Sequence, residues 1–225
     1  MTLALTEPAV TLTDYAIAIE CVVFTLLLVR RQSSDPVLRF WFVVFFASIG
    51  AASLLGGTVH GFFEDAASTG HAILWPATLL SILVTSLAVW STGAILQLGE
   101  RAAGWVRRLA IAQLVILSVV VLFVTRQFFI AVISYLPATL FFLIALSLAY
   151  RRRPHAALGW GIVGLALTFV AAAVQQLRFA IHPVYFDHNA LYHVIQGVAL
   201  WMIFLAARWI STAQPPIRRT NDLPT

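Results

Sequence analysis

The chain has 225 residues, 61% of them apolar and only 10% charged, with a net charge of +5. A soluble domain carries about 25% charged residues, so the polar surface needed to wrap a water-soluble globule is missing, and the chain reads as an integral membrane protein. All 14 basic residues are arginines, and their placement decides whether they point to nucleic acid.

The opening stretch, "MTLALTEPAVTLTDY", lacks the basic n-region and small-residue cleavage pattern of a signal peptide. Seven apolar runs follow, approximately Tyr15–Val29, Phe40–His60, Ile73–Leu98, Val106–Val124, Phe128–Tyr150, Ala156–Leu177 and Leu191–Ile210. Each approaches the length of roughly 20 residues that carries a helix across a bilayer. The alternating ten-residue segments of a membrane barrel are absent. Cys21, the single cysteine, falls in the first run, so no disulfide within the chain is possible. The connections are too short for a separate soluble domain. The predicted organisation is one bundle over 1–212 and a proline-rich, disordered cytoplasmic tail over 213–225.

Twelve arginines lie between runs one and two, three and four, five and six, and after run seven; only Arg126 and Arg178 fall in the alternate connections. That is a positive-inside pattern through all seven spans. It predicts an all-α, polytopic membrane bundle of seven transmembrane helices. The N-terminus is placed outside, the C-terminus in the cytoplasm, and the protein in a bacterial inner membrane with lipid as its partner. Nucleic acid is excluded, because the charge is spread over loops as a topology signal instead of forming one basic stripe.

Acids and histidines gather on the opposite, periplasmic side. At 1.5 Å per residue, His193 stands about 22 Å above Arg208, Ser53 about 21 Å above Arg39 and Asp14 about 24 Å above Arg30. Ser53, Gly56 and His60 share one helical face at i, i+3, i+7, and so do Asn189, His193, Gln196 and Gly197. His188 flanks the last run, and Asp187 or Asn189 can cap its start. Glu20 falls about 15 Å above Arg30, near the midplane, where a carboxyl needs a partner or a role. Gln175 and Gln176 read as interhelical hydrogen-bond donors, and Trp75 as an interfacial aromatic.

Two histidines on facing helices beside acids can hold zinc, which needs three or four nitrogen or oxygen ligands and lowers the pKa of bound water. His60 and His193 are the expected metal ligands, with His188, Asp14 and Asp187 competing for the remaining places. Asp14, Asp187 or Glu20 is the candidate general base, and Ser53, Asn189 and Gln196 are candidate ligand-binding groups. Three readings stand: a zinc-dependent hydrolase, a non-enzymatic sensor or binding protein using the same cavity, and single-haem ligation by His60 and His193.

With its histidine late in span two and another early in span seven, the chain resembles the CREST group, which includes alkaline ceramidases and adiponectin-receptor-like proteins. That resemblance implies zinc and lipid-amide hydrolysis. The group's Ser-x-x-x-His meets Gly56 here, and its His-x-x-x-His meets Asn189, so His60 and His193 alone carry over. The strings "LTDY", "GGTVHGFF" and "HNALYHVIQGVAL" resemble an uncharacterised bacterial seven-span family, with no activity attached.

Overall fold

A computed structural model describes residues 5–183 and 185–213. Among these, seven helices are long and apolar enough to cross a membrane. They are α1 (Pro8–Val29), α2 (Pro36–Phe62), α3 (Thr69–Gln97), α4 (Glu100–Phe123), α5 (Phe129–Arg152), α6 (Ala156–Leu177) and α7 (His188–Thr212). The chain is a multi-pass helical membrane protein. The expected tail lies outside the described residues, except for Ala213.

Helix starts extend beyond the apolar runs because capping chemistry, not hydropathy, sets them. Pro8 and Pro36 open α1 and α2, where proline's missing N–H costs nothing. Asp35 accepts from the Leu38 N–H at 3.1 Å and Ser68 from the His71 N–H at 3.2 Å. Asp187 accepts from the Ala190 N–H at 2.9 Å, so α7 begins at His188. Asp187→Ala removes this cap and is expected to destabilise the protein by about 1 kcal/mol, measured as a lower melting temperature in detergent, with Asp187→Asn retaining most of the stability.

Six helices form a closed ring in the order α1, α2, α3, α5, α6, α7, with α7 returning to α1; α4 packs outside against α3 and α5. The outward faces carry exposed apolar side chains such as Leu12, Ile19, Leu109, Ile116 and Val163, the surface a helix shows to lipid tails. The two tightest helix pairs are built on glycine. A Cβ on Gly57 of α2 would stand 2.8 Å from the Asp14 Cβ on α1. A Cβ on Gly164 of α6 would stand 2.6 Å from the Ala199 carbonyl on α7. Small residues let backbones approach where no hydrophobic force between helices does the work.

The ring is filled unevenly. Towards the arginine-rich end, Phe24, Phe42, Phe46, Phe142 and Phe204 are buried together, with Phe24 stacked on Phe204 at 4.2 Å. Serine hydroxyls close the same end: Ser33 and Ser34 donate to the Ser211 and Ala213 carbonyls. Towards the other end the ring interior is lined by smaller and polar side chains, and it is hollow.

Candidate functional site

The hollow is a cavity of about 300 Å³ walled by all six ring helices. Small ligand sites begin at this size. Asp14, Ser53, His60, Asn189, His193 and Gln196, all expected in one outer layer, line it. Gly197, predicted on the same face as His193, instead turns towards Glu20 of α1. Glu20 and Asp187 do not line the cavity, and neither does His188, the first residue of α7. Glu20 is half-buried and makes no hydrogen bond to a described residue.

Each of the two imidazoles has its own carboxylate. His60 Nδ1 meets Glu7 Oε2. Glu7 sits just before α1, and the segment preceding it is tied down where Thr6 donates through its N–H and hydroxyl to the Gly61 carbonyl. The hydrogen bond from His60 holds the Glu7 carboxyl below its usual range, against partial burial, and the charges of His60 and His188 act in the same direction. A carboxyl with a lowered folded pKa stabilises the fold above its unfolded value near 4.5 and loses that contribution as pH falls through the folded value. We therefore expect the N-terminal segment to loosen below about pH 4.5, seen as faster amide exchange at residues 5–7, with Glu7→Gln exchanging fast at every pH.

His193 is set by α1. Thr13 Oγ1 lies 2.8 Å from the Ala9 carbonyl and 3.0 Å from that of Val10, so its hydrogen goes to its own helix. Its oxygen then accepts from His193 Nδ1–H at 3.2 Å. This tautomer leaves His193 Nε2 with only a lone pair, facing Asp14 Oδ1 at 3.4 Å. Asp14 is 4% exposed. Two acceptors so enclosed repel unless one proton is held between them. The pair is thus a proton-sharing unit at the cavity wall, and Ser53 lies against the same carboxylate.

Further in, polar atoms lack partners. Gln175 Nε2 donates to Asn189 Oδ1 at 2.6 Å, which leaves Gln175 Oε1 without a hydrogen bond. Gln196 Oε1 is buried and unpartnered too, and both glutamines line the cavity. Buried polar atoms are satisfied nine times in ten or more, so two such oxygens beside one void stand out.

Among the described residues no group of three or more His, Cys, Asp or Glu side chains is disposed to hold a metal ion. Of the nearest candidates, His193 has both ring nitrogens engaged, by Thr13 and Asp14, and His60 has its Nδ1 engaged by Glu7. As arranged, these side chains do not make up a three-ligand zinc set.

A model built from one family's sequences matches residues 9–212. The chain belongs to DUF6962, a family of unknown function. This match spans all seven helices of the DUF6962 fold and agrees with the expected uncharacterised seven-span family. The likeness to the CREST group gains no support from it. No curated protein and no solved structure matches the chain.

Sequence reasoning passed over several members of the site. Glu7 is one acid among several on the outer side of the sequence, and nothing there pairs it with His60. Trp75 lines the cavity while its indole N–H donates to the Arg126 carbonyl at 2.7 Å, a more specific place than an interfacial aromatic. Tyr135 and Tyr192 also line the cavity. The available signal was weak: Tyr135 is a lone phenol inside an apolar run, and Tyr192 directly precedes His193.

Proposed function

We propose that this chain is a membrane-embedded binding protein that takes a small amphipathic molecule into its six-helix cavity. The observation that carries this is the set of buried, unpartnered acceptors at Gln175 and Gln196 beside the proton-sharing Asp14–His193 pair. These groups ask for a ligand that donates hydrogen bonds at one end. Ile17, Ile82, Phe128 and Leu136 offer its other end apolar wall. An alcohol or amine headgroup matches; a carboxylate would meet Asp14 and two amide oxygens as a like partner. By the positive-inside pattern of the arginines, the cavity lies on the periplasmic side of a bacterial inner membrane.

The test is a melting-temperature screen of detergent-purified protein with chain-matched long-chain alcohols, amines and fatty acids, alongside solvent extraction of what copurifies. Stabilisation by alcohol or amine is expected. No shift from any amphiphile, with nothing recovered by extraction, would refute the reading.

A second reading, hydrolysis of a lipid amide or ester, is favoured by the Asp14–His193 pair, an acid and an imidazole together at the cavity wall, either of which can take a proton from water as general base. In its zinc-dependent form His60 would offer its Nε2, with Glu7 orienting the ring through Nδ1. Stoichiometric zinc in purified protein, lost in His60→Ala, would favour it over binding alone. A metal-free preparation indifferent to chelator would remove it, and a Soret band would point to haem instead.

A further inference from the structure

A second groove opens at the arginine-rich end, away from the cavity. It encloses about 350 Å³ and is lined by Arg31, Trp160, Leu205, Arg208, Trp209 and Thr212, with Ala157 beside them. Arg31 follows α1, Ala157 and Trp160 come from α6, and the others from α7. Arg31 and Arg208 are exposed, and neither makes an ion pair among the described residues. Arg31 is instead held by its backbone, whose carbonyl accepts from Arg39 at 2.6 Å. Trp209 is fixed by His155, stacked on it at 4.1 Å, and by the Arg153 guanidinium, 5.4 Å from its ring centre. Among the described residues, ten arginines at this end stand against two carboxylates, Asp35 and Glu100. Asp35 is buried as the cap of α2, and Glu100 opens α4 on the far side of the ring.

Three features of the groove fit one kind of occupant. Two guanidiniums on one small void suit a phosphate, which arginine grips through paired N–H donors. Tryptophans sit at headgroup depth because they are apolar with one polar edge. Leu205 and the exposed face of Trp160 continue the groove as apolar surface, as an acyl chain requires. Basic pockets between membrane helices on this side hold anionic headgroups. We propose that this groove binds an anionic phospholipid, its phosphate held by Arg31 and Arg208 and its acyl chain laid along Leu205 and Trp160.

The experiment is a lipid titration of delipidated full-length protein, read by native mass spectrometry, with phosphatidylglycerol against phosphatidylcholine. Wild type is expected to retain phosphatidylglycerol at least about tenfold better. The pair R31Q/R208Q should lose that preference. The pair R101Q/R108Q removes the same charge from α4, outside the groove, and should keep it. If R31Q/R208Q does not fold, R31K/R208K keeps the charge that sets topology and should still bind more weakly than wild type. Equal retention of the two lipids by wild type would overturn the proposal. So would equal loss in both glutamine pairs, which means diffuse attraction, or displacement of the lipid by millimolar inorganic phosphate, which means that the chain is not read.

Discussion

Gly164→Leu is expected to unfold or rearrange the α6–α7 pair, lowering stability by about 3 kcal/mol, the upper end of the usual cost of overpacking. The cause is backbone, not side chain. A Cβ at this position already meets the Ala199 carbonyl at 2.6 Å, the Met202 Cβ at 2.9 Å and Ile203 Cγ1 at 3.0 Å. The Ala199 carbonyl and the Met202 Cβ cannot swing away without moving α7 itself. A Cβ on Gly161, one turn earlier in the same seam, would stand 2.5 Å from the Ala206 Cβ, so the helices have little room to slide. Displacing α7 also carries off Asn189, His193 and Gln196, so cavity binding should fall with stability. Gly104 is the control. Nothing lies within 4 Å of a Cβ there, and Gly104→Ala on α4 should be neutral or stabilising by about 0.5–1 kcal/mol. Detergent melts of the two variants, with reversibility checked, decide the matter. A Gly164→Leu protein that melts like wild type would mean that the α6–α7 contact is looser than described.

The second large effect is on binding. Asp14→Asn keeps the size and the 4% exposure of the side chain but cannot hold a shared proton opposite His193 Nε2. We expect binding of the stabilising amphiphile to weaken by roughly ten- to a hundredfold, the worth of a hydrogen bond to a charged group. The melting temperature of the empty protein should change little, since the amide can donate to the imidazole in place of the lost proton. Asp14→Ala differs: it leaves His193 with an unsatisfied buried nitrogen and should lower stability as well. The readout is competition binding with the amphiphile identified by the melting screen. Unchanged affinity in Asp14→Asn would take Asp14 out of the site.

The seven spans were legible because each is a long apolar run bounded by arginine or proline, and bilayer thickness leaves few alternatives. Ala156–Leu177 coincides in sequence and structure, whereas α1 begins at Pro8 instead of Tyr15. Its first two turns are "PAVTLTD", polar enough to hide from hydropathy yet helical, since Thr11 and Thr13 return their hydroxyls to the backbone one turn back. Those hidden turns also carry Thr13 and Asp14, the residues that orient His193. The shared faces of Ser53, Gly56 and His60, and of Asn189, His193 and Gln196, followed from helical period alone. What the residues could not reveal was pairing across the ring. Nothing local in "LTEPAV" says that Glu7 meets His60, or that Gln175 spends its amide on Asn189 and leaves an oxygen over. Such choices depend on helix rotation and tilt, which neighbours set.

The phenylalanine packing at the arginine-rich half has a consequence for traffic. With Phe24 and Phe204 face to face and Phe46 edge-on to both, aromatic packing plugs the ring between the vestibule and the arginine-rich end. On the binding reading, a guest among Asp14, His60 and His193 would come and go on the side away from that plug. Of the three staves that meet in that stopper, α1, α2 and α7, α7 and the end of α1 also frame the arginine groove beyond it, so movement of those two would couple the vestibule to the groove.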